Sequence, residues 1–356
     1  MEINDLLKRV LEKSASDLHL IVGTSPVLRI HGDLVVQKDL PVITQEEAMQ
    51  MLSTITTQEH IDFFNKEREL DFAYSVPGLS RFRVNVLRQR GTLSFAFRLV
   101  PFKIPTLDEL GMPPILKQLA LKKRGLILVT GQTGSGKSTT MAALINYLNE
   151  NEARNIITIE EPIEFLHQNK KCVIAQREVG SDTYSFSKAL IYALRHDPDV
   201  VVVGEMRDLS TISTAITAAE TGHLVFGTLH TYNAPQTIDR IVDVFPSEQQ
   251  PQIRIQVAQI IEAVISQTLI HKIGGGRVAA MEIMIGTQAT RYLIREGKAH
   301  QLHSAMQTAA REGMQILDQA LANLVGTGKI TKEDAMLNAA DVDQLKTFLN
   351  AGYSRN

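Results

Sequence analysis

The chain has 356 residues, 44% of them hydrophobic and 21% charged, with a formal net charge of −2. This length suits two compact domains rather than one core, the composition is that of a globular chain rather than a disordered one, and the near-neutral charge excludes a global basic field for nucleic acid or anionic lipid. Cys172 is the only cysteine, which excludes an intramolecular disulfide and a multi-thiolate zinc site.

A reducing cytosol is therefore the expected compartment. Met1-Glu2-Ile3-Asn4-Asp5 lacks the basic and apolar regions of a leader, and no run approaches the ~20 apolar residues of a membrane helix, so no membrane span is expected.

Ile3, Leu6, Leu7, Val10 and Leu11 recur at helical spacing, with Asn4, Lys8, Glu12 and Lys13 on the wet face, which predicts an amphipathic helix over 3–13. Residues 17–22, 26–30 and 34–36 read as short strands separated by Gly23-Thr24-Ser25 and His31-Gly32-Asp33. Helical spacing returns over 44–64, and 70–74, 81–87 and 93–99 alternate as strands, completing an α+β domain over residues 1–100. Pro101 and Pro105 interrupt regular hydrogen bonding, which marks 101–106 as a linker and leaves 107–356 as the second domain. Apolar strands over 126–129, 156–159, 200–203 and 224–226 alternate there with helices, the mark of a parallel sheet in an α/β domain. Beyond residue 250 the pattern is mainly helical apart from a strand over 277–285, and 301–324 reads as an amphipathic helical region that packs against the domain.

Gly131-Gln132-Thr133-Gly134-Ser135-Gly136-Lys137-Ser138, with Thr139 behind it, matches the P-loop pattern directly after a strand and before a helix. Glycines let backbone N–H groups curl around phosphate oxygens, and the helix N-terminus adds a positive dipole end. Lys137 would reach the β- and γ-phosphates of ATP and Ser138 would ligate Mg²⁺. The strand of Val200, Val201, Val202 and Val203 leads through Gly204 to Glu205, as a Walker B acid beside Mg²⁺ requires. Glu160-Glu161-Pro162-Ile163-Glu164 follows another strand and emerges at the same carboxyl edge, where one acid can polarise the attacking water; a solvated loop is the plain alternative. His223 and His230 flank a short strand, where phosphate sensing competes with the ordinary buried histidine. Arg83 and Arg98 lie on two strands joined by a Gln89-Arg90-Gly91-Thr92 turn, so they can face a phosphate together, the alternative being a solvated basic face.

The P-loop, the acidic box, Gly204-Glu205-Met206-Arg207-Asp208 and the stretch from Thr221-Gly222-His223 to His230 resemble the secretion ATPases of type II and type IV systems. Gly274-Gly275-Gly276-Arg277, Glu282-Ile283-Met284 and the segment Ala289-Thr290-Arg291-Tyr292-Leu293-Ile294-Arg295-Glu296 resemble their pilus-retraction branch, and the likeness extends to Ala15-Ser16-Asp17-Leu18-His19. The resemblance implies a PAS-like N-terminal domain joined to a RecA-like ATPase domain, in a homohexamer that binds ATP and Mg²⁺ and retracts a pilus. It implies Glu164 as the catalytic acid, Glu205 as the Walker B acid, His230 as the histidine-box member, and Arg83 and Arg98 as phosphate-contacting arginines. It further implies a cytoplasmic protein meeting an inner-membrane pilus platform protein peripherally, with no nucleic acid. The family usually has Asp where Glu161 stands, and Ile and Asn where Thr290 and Tyr292 stand. Assembly motors of the family tend to carry longer N-terminal regions and often four metal-binding cysteines, which favours retraction here. A nucleic-acid translocase would need basic or aromatic pore loops, and a non-hydrolysing scaffold would lack Glu164 or Glu205.

Overall fold

The computed structural model describes residues 1–101 and 103–351; Phe102 of the expected linker and the last five residues of the expected second domain lie outside them. The chain divides into two units. One is Met1–Lys103 together with Glu164–Leu166; the other runs from Ile104 to Ile163 and resumes at His167.

The first unit contains α1 (Ile3–Glu12), β1 (Ala15–Ile21), β2 (Val27–Ile30), β3 (Asp33–Val36), α2 (Gln45–Ile55), α3 (Gln58–Glu67), β4 (Glu69–Val76), β5 (Ser80–Gln89) and β6 (Thr92–Val100). The strands form one sheet in the order β3-β2-β1-β6-β5-β4, every neighbour antiparallel. The helical stretch expected over 44–64 divides into α2 and α3. Thr44 and Thr57 each accept a bond from the backbone three residues on, and Glu47 and His60 return it, so two capping boxes start two helices. Phe82, Val84 and Val86 of β5 and Leu93, Phe95 and Phe97 of β6 share one face of the sheet and join Leu6, Leu7 and Val10 of α1 in a core.

The second unit contains α4 (Ile115–Ala120), β7 (Gly125–Thr130), α5 (Lys137–Asn151), β8 (Asn155–Glu160), β9 (Val173–Glu178), α6 (Phe186–Ala193), β10 (Val200–Val203), α7 (Leu209–Glu220), β11 (Leu224–Leu229), α8 (Ala234–Asp243), α9 (Gln250–Ile260), β12 (Ile261–His271) and β13 (Arg277–Ile285). The helices α10 (Gln288–Arg295), α11 (Leu302–Thr308), α12 (Leu317–Gly326), α13 (Lys332–Asn338) and α14 (Val342–Asn350) follow. The sheet order is β13-β12-β7-β11-β10-β8-β9, parallel throughout except that β13 runs against β12. Leu126 and Leu128 enter the core on one face, and Ile127 and Val129 enter the core on the other. Burial on both faces is why these strands are uninterrupted apolar runs.

Two strands, β9 and β12, depart from the expected pattern. β12 begins at Ile261, immediately after α9 ends at Ile260, with no glycine or proline between them. A short apolar run such as Ile261, Ala263, Val264 and Ile265 has the same pattern in a buried strand and a buried helix. The amphipathic stretch over 301–324 is broken as well: α11 ends at Thr308 and α12 begins at Leu317, with a 3₁₀ turn over Ala310–Glu312 and Gly313 at φ 87° between them.

Candidate nucleotide site

β7 ends at Thr130, and the glycine-rich loop carries the chain into α5 at Lys137. Gly136 precedes that helix at φ 89° and no side chain caps it, whereas α2, α3, α7 and α8 all open on a capping Thr, Asp or Asn. An uncapped first turn presents its positive dipole end to the loop, the arrangement that accepts phosphate. Lys137 folds back along the loop, its Nζ donating to the carbonyls of Gly131 at 2.7 Å and Gln132 at 3.0 Å. Ser135 is buried, and Ser138 and Thr139 lie in the first turn of α5.

β10 pairs in parallel with both β8 and β11, so the three strands deliver their following residues to one edge. Glu205 stands two residues past β10 and His230 one past β11. His230 Nε2 lies 3.0 Å from Glu205 Oε1, and Arg207 Nε donates to the same oxygen. Arg207, which spacing alone did not single out, thus joins Glu205 from two positions away. Thr228 also ties the two strands by donating from its hydroxyl to the carbonyl of Gly204. His223 does not join this group. It precedes β11 at the opposite edge, its Nδ1 2.9 Å from the carbonyl of Ala218, so the two histidines are separated by the length of the strand they flank.

Glu160 closes β8 and accepts bonds from Thr158 Oγ1 at 2.6 Å and Gln176 Nε2 at 3.1 Å. The Glu161-Pro162 peptide is cis, and the backbone of Ile163 donates to Glu178 Oε2 at 3.0 Å. Glu164 belongs with the first unit.

Arg83 and Arg98 are direct partners in the β5–β6 register, on the face opposite the core. Arg98 Nε donates to Asp17 Oδ1 at 2.8 Å. Burial would raise the Asp17 carboxyl, but hydrogen bonds from Arg98 and Ser16 outweigh it and hold that carboxyl below its ordinary value. Among the described residues no group of three or more His, Cys, Asp or Glu is placed to hold a metal ion, and no helix is long and apolar enough to cross a membrane.

A mostly parallel sheet with a P-loop sequence at its carboxyl edge is the architecture of a P-loop ATPase of RecA-like fold. The family model described as "Type II/IV secretion system protein" matches residues 1–274, and the chain belongs to that family. It is 52% identical to the type IV pilus retraction ATPase PilT of Pseudomonas aeruginosa, over 94% of this chain and 97% of that one. It is 47% identical to a twitching motility protein of Neisseria gonorrhoeae, over 91% of this chain and 87% of that one. A crystal structure of the pilus retraction motor PilT with bound ADP superposes with a TM-score of 0.90 at 48% identity, covering 98% of this chain and 99% of that one.

Proposed function

We propose that this chain is the Mg²⁺-dependent ATPase that retracts type IV pili, working as a ring of six at the cytoplasmic side of an inner-membrane platform protein, without nucleic acid. The observation that carries the reading is the 52% identity to the P. aeruginosa retraction ATPase, which runs through nearly all of both chains.

Residues 131–139 would hold the triphosphate. Lys137 would release the Gly131 and Gln132 carbonyls and turn its ammonium to the β- and γ-phosphates. The Ser138 hydroxyl and the Glu205 carboxylate supply hard oxygen donors, which suit Mg²⁺. Bound there, Mg²⁺ would neutralise charge on the phosphate oxygens. Glu164 would orient the attacking water. His230, with its Nε2 3.0 Å from Glu205 Oε1, would sense whether that carboxylate is engaged. Arg83 and Arg98 would meet a phosphate of a neighbouring subunit, Arg98 releasing Asp17 to do so. The domain limits follow the same reading, with residues 1–100 as the PAS-like domain and 107–356 as the motor domain.

Steady-state phosphate release by the full chain, measured against protein concentration, tests this reading. Turnover per chain rises as the ring assembles, falls about 10²-fold or more in Lys137→Ala and Glu164→Gln, and ignores added single-stranded DNA. Stimulation by DNA would replace the filament motor with a nucleic-acid translocase, and no hydrolysis in any condition would leave a nucleotide-controlled scaffold.

A further inference from the structure

β12 lies against β7 with Ser266 opposite Thr130, and the Thr130 hydroxyl donates to the Ser266 hydroxyl at 2.8 Å. The next residue, Gln267, therefore stands where the phosphate loop leaves the sheet. It is 4% exposed. Its Nε2 donates to the carbonyl of Ser135 at 2.7 Å, while its Oε1, also buried, has no hydrogen-bond partner among the described residues. The backbone is equally close: a Cβ on Gly131 would come within 2.3 Å of the Gln267 carbonyl oxygen, and a Cβ on Gly136 within 3.1 Å of Gln267 Nε2. One residue thus sits beneath the first and last glycines of the loop and bonds the residue before the last.

A peptide unit is planar and trans, so its C=O and the following N–H point in opposite directions. Fixing the Ser135 carbonyl toward β12 fixes the Gly136 N–H away from it. We propose that Gln267 is a positioning residue for nucleotide binding: its carboxamide sets the Ser135–Gly136 peptide so that the loop's amide groups are aimed before phosphate arrives. The inference rests on the nucleotide-site reading above. It also gives a reason for an amide at this position. A glutamate has the same shape but donates a hydrogen bond only when protonated.

The test is ADP affinity by calorimetry, with Mg²⁺ and the full chain, for wild type, Gln267→Ala, Gln267→Glu and Lys137→Ala, across about pH 6 to 8. Lys137, Glu282 and Tyr232 also face this region, the last two lining the same cavity of about 210 Å³ as Gln267. Each variant is therefore read as a ratio to wild type at the same pH. Gln267→Ala is expected to weaken ADP binding about tenfold, as loss of a buried hydrogen bond can. Gln267→Glu is expected to be as weak at the alkaline end and to recover toward wild type as the pH falls, because its buried carboxyl protonates above the ordinary range and regains a donor. A merely structural role would not produce that recovery. If Gln267→Ala does not fold, the pH course of Gln267→Glu decides alone. Affinity within twofold of wild type in both glutamine variants, or a Gln267→Glu deficit that does not change with pH, overturns the proposal while Lys137→Ala still binds poorly. If Lys137→Ala binds ADP like wild type, the nucleotide-site reading fails first and the Gln267 proposal falls with it.

Discussion

The two sheets of this molecule present chemistry in different ways, and their burial explains why. The first unit buries one face of an antiparallel sheet beneath Phe82, Val84, Phe95 and Phe97 and leaves the other to Arg83, Arg98 and Asp17. The second unit buries both faces of a mostly parallel sheet. A sheet with a free face can carry functional side chains in mid-strand, whereas a sheet covered on both sides can offer them only where strands end. Arg83 and Arg98, proposed to meet a phosphate, accordingly lie inside β5 and β6, and the proposed nucleotide-site residues Gly131, Glu205 and His230 all lie just past strand ends.

The sharpest way to break this comparison is to crowd a strand end. Gly131 has φ 143°, and a Cβ there would meet the Gln267 carbonyl at 2.3 Å and Ser135 Oγ at 2.6 Å. Gly131→Ala must push the loop off β12, and a displacement near 1 Å at a catalytic site costs about 10²-fold in rate. Steady-state ATP turnover should fall by that order. Turnover within twofold of wild type would mean that this close contact does not set the loop's working geometry.

Buried acids sharpen the comparison further. Asp17, beside Arg98, titrates below its ordinary range, so its contribution to stability is present above about pH 4 and lost as the pH falls. Glu282 on β13 goes the other way. Burial pushes it from 4.5 up to about 7; the bond it accepts from the backbone of Ala234 only partly opposes this, and the charge of Asp318 adds to the rise. A carboxyl whose folded pKa exceeds its unfolded one favours folding when protonated. Glu282 thus contributes fully below about pH 4.5, progressively less above it, and nothing once the pH has passed about 7. The span corresponds to about 3 kcal/mol. Gln at 282 keeps the acceptor for Ala234 without titrating, so the melting temperature of Glu282→Gln should gain several degrees on wild type between about pH 5 and pH 8. Parallel pH curves for the two proteins would count against Glu282 as the titrating group.

How far the sequence reveals all this depends on whether function and packing share a local pattern. The glycine-rich loop is legible because its glycines, lysine and serine fall within one eight-residue segment, and β7, β8, β10 and β11 are legible because burial on both faces makes them apolar runs. β12 was hidden, since an apolar run adjoining a helix carries no periodicity that separates the two. Gln267 was hidden with it. A lone glutamine has no sequence signature, and only the parallel register with β7 brings it under a loop 132 residues earlier. The pairing of Glu205 with His230 is similarly a consequence of strand order, because the parallel β10–β11 register aligns residues 24 positions apart and so brings the ends of the two strands together. Arg83 and Arg98 were easier, since a tight hairpin sets their register locally.

That hairpin supplies the smallest effect and a control for the largest. Arg90 and Gly91 have φ values of 48° and 78°, the left-handed pair that closes a two-residue turn between twisted strands. Gly91 resembles Gly131 in its positive φ, but a Cβ there would meet nothing within 4 Å. Gly91→Ala therefore incurs conformational strain without collision, about 1 kcal/mol, lowering the melting temperature by roughly 2 to 4 °C. ATP turnover below the melting range should stay within twofold of wild type, because Arg83 and Arg98 remain paired through the rest of the register. A loss of turnover as large as that of Gly131→Ala, with the same small change in melting, would show that the turn sets the arginines as firmly as β12 sets the phosphate loop. The contrast between a glycine needed for close approach and one needed only for its dihedral angles would then no longer separate the two units.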